Sequence, residues 1–349
     1  SQLALIVIAA GAIYPLLYLR QNFEISILES FDITQTQLRY CSSMLGLIFM
    51  ISYVPSGWLA DRFSSRKLLA YSLLATALLG IWFSTMPSYS SLLVIYGAWG
   101  IATGLTFWSA HIKLVAILAK KDQQGKFFGI LDGGRGLVEA ILATIAITLF
   151  AYVLSQESGS TSMALRQVIY LYIGVLLVVS PLVYWLLDDF EEDNTKVTNT
   201  NFIADLKTIL KHREIWLCAI CIICGYQLFY ATYSFSAYLQ QNFGLTAVAV
   251  GTITVAKLWM RPIGGITAGF IGDWSSPEKV LSILLILASL SLGIMAFLPA
   301  ASSVIVMLLV VLLIGLLTYG VRGIYWATLA GCNVPNKTKG LAIGVISMI

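Results

Sequence analysis

The chain has 349 residues, of which 58% are hydrophobic and only 11% are charged, and its mean hydropathy is +0.86. Soluble domains have about 25% charged residues, so this composition excludes a soluble enzyme, a nucleic-acid-binding protein and a disordered chain. The 21 basic and 17 acidic residues leave a net charge of +4, so the positions of the charges are more informative than their sum.

Long apolar runs follow one another along the chain. A bilayer core about 30 Å thick needs roughly 20 apolar residues in a helix, and these runs exceed the ~10 residues of a barrel strand. The sequence therefore predicts an all-α integral membrane protein. Ten spanning helices are predicted, followed by the start of an eleventh near Leu341: Gln2–Leu19, Leu38–Ala60, Leu68–Met86, Leu92–Leu118, Phe127–Leu154, Val168–Leu187, Ile215–Leu239, Val248–Ile271, Val280–Leu298 and Val304–Leu329.

The connectors between these helices alternate in charge. Basic residues gather on one side of the predicted membrane: Arg62, Arg66, Lys67, Lys120, Lys121, Lys126, Lys196, Lys207, Lys211, Arg213, Lys279, Lys337 and Lys339. The other side carries Arg20, Arg39 and Arg166. Because basic loops stay in the cytoplasm, this pattern predicts a multi-pass protein of the plasma membrane, the inner membrane of a bacterium, with a cytoplasmic amino terminus.

The longest polar connector, Asp188–Glu214, separates two sets of apolar helices. It opens with the acidic run Asp188–Asp193, and the amphipathic spacing of Ile203–Lys211 predicts a surface helix. We therefore predict an amino-terminal six-helix bundle at residues 1–187, a cytoplasmic linker at 188–214 and a carboxy-terminal bundle at 215–349. The other sizeable connector, residues 22–37, is predicted to be an outside loop.

The cysteines and histidines give no indication of catalysis. Cys218, Cys221 and Cys224 form a CxxCxxC run, but it lies in an apolar helix and its members drift around the helix axis. We interpret them as small lipid- or protein-facing residues instead of metal ligands. The two histidines are accompanied by no metal, nucleotide or nucleophile motif. The sequence thus predicts no enzyme activity, no metal and no cofactor.

The two predicted bundles share a sequence pattern. Gly57 and Asp61 end the second helix, and Gly269 and Asp273 end the eighth, 212 residues later in both cases. Two tyrosine pairs in the first and seventh helices have the same offset: Tyr14 and Tyr18 match Tyr226 and Tyr230. Matches in register at two places indicate an internal duplication whose halves have the same orientation.

The run from Gly57 to Lys67, GWLADRFSSRK, resembles the GxxxD[RK]xGR[RK] loop motif of the major facilitator superfamily. Ser64 and Ser65 depart from the usual glycine and arginine. The resemblance implies two six-helix bundles related by a pseudo-two-fold axis, so twelve helices are expected and the twelfth lies beyond Ile349. It also implies secondary transport by alternating access, with helices one, four, seven and ten lining a cavity and helices five and eight facing each other.

The motif residues are candidates for a cytoplasmic gate. Gly57 allows two helices to approach closely, and Asp61 can face the positive end of another helix dipole. We assign gating or coupling roles to Gly57, Asp61, Arg62, Arg66, Asp132, Glu139 and Asp273. The alternative for Arg62, Arg66 and Lys67 is that they only anchor the orientation of the chain.

Charged residues within the predicted helices form a second group of candidates: Lys113, Asp132, Arg135, Glu139, Lys257, Arg261 and Arg322. A charge in lipid costs at least ~2.5–3.5 kcal/mol, so each is a functional hypothesis. Lys113 and Arg322 are predicted nearer the cytoplasmic helix ends, where long side chains can reach the surface, so a surface position is the alternative to a functional role for these two. We predict that Asp132 or Glu139 pairs with a base of the eighth helix in one state and parts from it in the other. That base is Lys257 or Arg261, and a static salt bridge is the alternative.

The same residues favour an anionic solute, because five bases accompany two acids. An arginine fork suits phosphate or carboxylate, and tyrosine hydroxyls suit a sugar-like solute. The predicted substrate-binding residues are Tyr14, Tyr18, Trp108, Arg135, Tyr226, Gln227, Tyr230, Lys257, Arg261 and Arg322. For each aromatic residue, packing or a place in the interfacial belt is the alternative. Asp132 and Glu139 are the candidate proton carriers.

The sequence as a whole predicts a monomeric secondary transporter of a small polar organic solute, favouring an anion such as a phosphorylated or carboxylated sugar. The alternatives are a proton-coupled exporter of amphipathic compounds and a receptor or scaffold without turnover on the same fold. The antiporter signature GxxxGPxxGG of the family is absent from the fifth helix, where residues 129–140 read GILDGGRGLVEA, and this weakens the exporter alternative.

Overall fold

A computed structural model describes residues 2–157, 159–189, 202–232, 235–245, 247–299, 302–332, 334 and 338–348. These residues form helices joined by short turns, without a strand among them, which confirms the predicted all-α class. The α-helices are α1 (Gln2–Leu17), α2 (Arg20–Phe31), α3 (Gln35–Arg62), α4 (Ser65–Ser84), α5 (Tyr89–Gly100), α6 (Trp108–Leu118), α7 (Gln124–Leu154), α8 (Thr161–Leu186), α9 (Phe202–Leu210), α10 (Arg213–Ala231), α11 (Phe235–Phe243), α12 (Ala247–Trp274), α13 (Pro277–Ala296), α14 (Val304–Ile324) and α15 (Lys339–Met348). A π-helical turn (Ile101–Leu105) joins α5 to α6, and 3-10 helices occupy Lys121–Gln123 and Tyr325–Cys332.

The helices are long and apolar enough for a membrane protein. Within the described part, nine helical stretches could cross a membrane by length and composition. α12 has a comparable length of 28 residues and carries Lys257, Arg261 and Asp273. Apart from Ile215–Leu239, the predicted spanning helices are therefore present, with ends that shift by a few residues.

The predicted loop conformation of residues 22–37 is wrong at both ends, because α2 follows α1 almost directly and α3 begins at Gln35. The outside position of these residues stays a prediction. One face of α2 is buried, with Phe23, Ile27 and Phe31 between 1% and 7% exposed. Burial of these three apolar side chains stabilises the helix. The polar residues between them lower the mean hydropathy of the run, which is why the sequence predicted a loop here.

Two α-helices take the place of the predicted single helix Ile215–Leu239, since α10 ends at Ala231 and α11 begins at Phe235. The hydroxyl of Thr232, the residue after α10, donates to the carbonyl of Phe229 at 2.8 Å. A threonine hydroxyl that binds a carbonyl one turn back competes with the helical hydrogen bonds. The end of α10 places Thr232 beside the charged residues described below.

The linker prediction is tested only in part by the described residues. The predicted surface helix at Ile203–Lys211 is present as α9, and the ring of Phe202 lies 6.1 Å from that of Trp58. Five residues named in the sequence analysis lie outside the described residues: Glu191, Glu192, Asp193, Lys196 and Lys337. The domain limits at residues 187 and 214 stay predictions.

The contacts group the chain into two compact units. The first comprises Ser1–Ile117, Ile141–Lys211 and Val334–Met348, and the second comprises Leu118–Ala140 and His212–Asn333. In the first unit α1 and α4 pack on α8, and α3 packs on α15. In the second unit α12 and α13 pack on α14. The first half of α7 therefore groups with the second unit, and α15 groups with the first.

Candidate functional site

The carboxylate of Asp61 caps a helix in the first unit. Asp61 lies near the end of α3 and accepts hydrogen bonds from the backbone N–H groups of Gly340 (3.0 Å) and Leu341 (2.9 Å). These N–H groups belong to the first turn of α15, where helical donors lack partners and the helix dipole favours a negative charge. The Lys113 ammonium lies 3.0 Å from the same carboxylate. Asp61 thus joins three helices: α3, α6 and α15.

Gly57 makes this contact possible, because a Cβ atom there would overlap the carbonyl oxygen of Gly340 and lie 2.7 Å from the Cα of Leu341. Any side chain at position 57 would push α15 away from α3. The glycine and the aspartate of the motif therefore act on the same helix end.

The second copy of the motif makes the equivalent contact in the second unit. Asp273, near the end of α12, accepts hydrogen bonds from the backbone N–H groups of Gly125 (2.8 Å) and Lys126 (2.7 Å) at the start of α7. A Cβ atom at Gly269 would overlap the carbonyl oxygen of Gly125. Unlike Asp61, Asp273 has no basic side chain within ion-pair distance among the described residues.

The basic part of the motif contacts the end of α8. Arg66 lies 3.2 Å from the Asp189 carboxylate, and the Ser64 hydroxyl donates to the same carboxylate at 2.6 Å. The Arg62 guanidinium stacks over Trp58, 4.4 Å from the ring centroid. Sequence reasoning missed the role of Ser64 and Asp189, although the departure of Ser64 from the family glycine was a signal that could have found it.

Arg261 lies between two acids in the second unit. Its Nη2 is 2.8 Å from Asp132 Oδ1, its Nε is 3.3 Å from Asp132 Oδ2, and its Nη1 is 2.5 Å from Glu139 Oε2. Arg261 is only 3% exposed. Gly136 on α7 makes room for it, because a Cβ atom there would lie 2.5 Å from Arg261 Cγ and Cδ. Of the two predicted bases, the structure brings Arg261 to the acids.

Glu139 also binds Arg135, one helical turn earlier on α7, with an Nε–Oε1 distance of 2.9 Å. The two acids and these two arginines therefore form one hydrogen-bonded group on α7 and α12. Hydrogen bonds to ionised partners are the stronger kind, so these contacts contribute more to stability than neutral hydrogen bonds would.

Arg322 on α14 lies beside this group. It is 8% exposed, which disfavours the alternative that its side chain reaches the surface. Its Nε lies 3.7 Å from Asp132 Oδ1, which is too far for a hydrogen bond. Its Nε is buried and has no hydrogen-bond partner among the described residues. Its guanidinium lies 4.2 Å from the ring centroid of Phe229 and 5.8 Å from that of Tyr226.

Lys257, one turn before Arg261 on α12, contacts neither Asp132 nor Glu139 by an ion pair. Its Nζ lies 2.9 Å from the hydroxyl and 3.4 Å from the carbonyl of Thr232, and it is 9% exposed. We call the six residues Asp132, Arg135, Glu139, Lys257, Arg261 and Arg322 the charge cluster.

The predicted aromatic residues fall in both units. In the first, the Tyr14 ring lies 6.1 Å from that of Tyr18 and 6.4 Å from that of Trp108, whose Nε1 donates to Ser347. In the second, Tyr226, Gln227 and Tyr230 are exposed on α10. Their substrate roles stay predictions. In the described part of the chain, no group of three or more His, Cys, Asp or Glu side chains could hold a metal ion.

Sequence comparison identifies the family. The sequence model of the Major Facilitator Superfamily matches residues 3–349. The chain belongs to this superfamily. The protein is therefore a multi-pass membrane transporter of a small solute and not an enzyme.

Three curated relatives illustrate the range of similarity. Inner membrane protein YqcE of Escherichia coli K12 is 29% identical over 357 residues, which cover 99% of this chain and 83% of the relative. Inner membrane protein YihN of the same organism is 26% identical, also over 99% of this chain and 83% of the relative. The nitrite extrusion protein of Bacillus subtilis 168 is 25% identical over 84% of this chain and 69% of the relative.

Solved structures share the fold at low sequence identity. FucP of Escherichia coli in its outward conformation superposes with a TM-score of 0.81 at 16% identity, over 100% of this chain and 88% of that chain. The human organic anion transporter MFSD10 has a TM-score of 0.70 at 14% identity, over 99% of this chain and 87% of that chain. These likenesses confirm the fold that the motif predicted.

Proposed function

We propose that the protein moves a small polar organic anion across the inner membrane by alternating access. The observation that carries this proposal is Arg322. Its guanidinium is buried, its nearest acid is Asp132 at 3.7 Å, and that acid already accepts two hydrogen bonds from Arg261. Because a buried cation is stable only when it is paired, such an arginine favours an anionic ligand.

The charge balance of the cluster supports the same solute class. Four bases accompany the two acids, which leaves an excess of positive charge in the second unit. Lys113, which the sequence counted with them, pairs with Asp61 instead. A buried region of one sign concentrates ions of the other sign. Two names among the similar proteins also refer to anions, the nitrite extrusion protein and the organic anion transporter.

A second candidate is proton-coupled transport of a neutral sugar-like solute. FucP is described as a fucose:proton symporter, and Glu139 is the more exposed acid of the cluster, at 18% of its side chain. In this alternative Asp132 and Glu139 would carry the proton, and the neighbouring arginines would set the proton affinity of these two carboxylates.

Counterflow in proteoliposomes separates these candidates. We expect vesicles loaded with a hexose 6-phosphate or a hexuronate to accumulate the labelled compound, whereas the neutral parent hexose should give no exchange. Exchange of the neutral hexose alone, driven by a proton gradient, would support the second candidate. Saturable binding without flux would identify a receptor, and efflux of amphipathic cations would identify an exporter.

We further propose that the amino terminus is cytoplasmic and that the protein works as a monomer in the inner membrane. The basic connectors support this orientation, and the names of YqcE and YihN support the inner membrane. In this orientation the helix caps at Asp61 and Asp273 lie on the cytoplasmic side, where they hold α15 against α3 and α7 against α12.

Replacing Asp61 with asparagine should loosen the cytoplasmic cap. The amide keeps the shape but loses the charge that binds the N–H groups of α15 and Lys113, an effect of roughly 1–3 kcal/mol. We expect spin labels at Phe63 and Lys339, in a cysteine-free background, to acquire a longer distance component in double electron–electron resonance. The exposed acid Glu29, changed to glutamine, is the matched control. An unchanged distance distribution in Asp61→Asn would contradict the gate role.

A further inference from the structure

Two buried bases of the charge cluster have no hydrogen-bonded acid. Lys257 donates to the neutral oxygens of Thr232, and Arg322 lies 3.7 Å from an acid that Arg261 already binds. The other two bases are paired, since Arg135 and Arg261 hydrogen-bond to Glu139 at 2.9 and 2.5 Å. The cluster as described is therefore short of two negative charges.

No acid elsewhere in the described chain supplies this charge. Every aspartate and glutamate of the sequence is described except Glu191, Glu192 and Asp193, which fall in the predicted cytoplasmic linker. Among the described residues, no carboxylate lies within ion-pair distance of Lys257. An uncompensated charge in a membrane helix is costly, so a pair of such charges favours a negatively charged partner.

The two bases contact the same turn of the chain. Lys257 binds Thr232, whose hydroxyl donates to the carbonyl of Phe229, and the Phe229 ring lies 4.2 Å from the Arg322 guanidinium. One helical turn rises about 5.4 Å, so the two contact residues, Phe229 and Thr232, lie within about one turn of each other. The end of α10, where Thr232 binds Lys257, creates this arrangement.

Each base has donors without a partner among the described residues. An ammonium group has three N–H donors, and Thr232 accepts two of them. The Arg322 Nε has no hydrogen-bond partner in the described part of the chain, and its guanidinium lies over the rings of Phe229 and Tyr226. Arginine offers a planar fork and lysine a point charge, a combination that suits a doubly charged group or two carboxylates.

We propose that the transported solute is a dianion and that Lys257 sets this preference, with Arg322 binding the first negative charge and Lys257 the second. This inference rests on the proposed function, because it requires the solute to be an anion. A monoanion would satisfy Arg322 and leave Lys257 buried beside neutral groups. A phosphate monoester or a dicarboxylate would satisfy both bases.

Esters that differ only in charge test the proposal. Glucose 6-phosphate carries nearly two negative charges at pH 7.5, because its second pKa is about 6, whereas glucose 6-sulfate has almost the same shape and one charge. Methyl phosphate and methyl sulfate form a second pair without the sugar. A third pair compares a dicarboxylate, succinate, with a monocarboxylate of the same chain length, butyrate. We expect calorimetry on the purified full chain to give at least ~10-fold tighter binding of the dianion in one or more pairs.

The variants of Lys257 should move this preference and nothing else. Lys257→Met should weaken dianion binding about 10-fold and change monoanion binding less than about 3-fold, and Lys257→Gln should do the same if the methionine variant fails to fold. Lys257→Arg keeps the charge and should keep the preference. Lys279→Met removes an exposed lysine of α13 and should change neither affinity.

The outcomes separate this inference from the function on which it rests. Monoanions that bind as tightly as their dianion partners, or a Lys257→Met variant that weakens both equally, would overturn the dianion inference and leave anion transport standing. Binding of neutral hexose without binding of any anion would overturn both. An absence of binding for every dianion probe would also overturn the inference.

Discussion

Replacing Arg261 with glutamine is expected to lower the free energy of unfolding by about 3–5 kcal/mol. The arginine is 3% exposed and donates hydrogen bonds to both Asp132 and Glu139. Without it, two carboxylates stay buried with fewer positive partners. Removing one partner of a buried ion pair destabilises a protein more than replacing both partners with neutral residues. Thermal unfolding of the purified protein in detergent, followed by intrinsic fluorescence, measures the change.

Neutralising the acids in the same chain should reverse most of this loss. The variant Arg261→Gln, Asp132→Asn, Glu139→Gln keeps the side-chain volumes and leaves no unpaired carboxylate, so its unfolding midpoint should return toward that of the wild type. Arg213→Gln, at the exposed start of α10, is the matched control. A normal midpoint for Arg261→Gln alone would mean that the pairs are open in solution, as a switching salt bridge requires.

Replacing Arg322 with glutamine should instead weaken anion binding strongly while the protein stays folded. Hydrogen bonds to charged groups contribute about 1.5–3 kcal/mol, which corresponds to roughly a 10- to 150-fold loss of affinity. Stability should change little, because the Nε of Arg322 makes no hydrogen bond among the described residues and Asp132 keeps Arg261. Calorimetric titration with the anions that exchange in counterflow provides the measurement.

Arg322→Lys tests whether the planar fork matters beyond its charge. Lysine keeps the positive charge but offers a point donor, so we expect an affinity between those of the wild type and Arg322→Gln. Arg213→Gln is again the control and should bind normally. Wild-type affinity in Arg322→Gln would refute the role of this arginine in binding and remove the main support for an anionic solute.

The helices and the repeated motif were predictable from sequence because their signals are local. Apolar length predicts spanning helices, and Gly57, Asp61, Gly269 and Asp273 recur at one offset. The type of partner for Asp61, a positive helix end, followed from its place at the end of α3. Its identity did not, because the contact with Gly340 joins residues 279 positions apart.

The pairing within the charge cluster was less predictable, because it depends on side-chain direction. Lys257 and Arg261 share one stripe of α12, yet only Arg261 reaches the acids of α7. The glycines of α7 were a usable signal, since glycine in a helix interior costs about 1 kcal/mol relative to alanine and implies a close neighbour. Gly136 has that role, because it faces the side chain of Arg261.

Arg322 and Thr232 could not be placed from the sequence for a related reason. The depth of Arg322 was judged from its distance to a predicted helix end, whereas its position is decided by the rings of Phe229 and Tyr226 on another helix. The end of α10 at Thr232 lies inside an apolar run. The hydrogen bond from the Thr232 hydroxyl to the carbonyl of Phe229 does not change the hydropathy of that run, so hydropathy could not predict it.

The two helix caps are unequal, because Lys113 adds an ion pair to Asp61 and Asp273 has no such partner among the described residues. Duplicated contacts of equal strength would break together. With unequal strengths, we expect α7 to separate from α12 before α15 separates from α3, so that opening passes through a half-released intermediate. The lysine would then determine the order in which the two helix caps open.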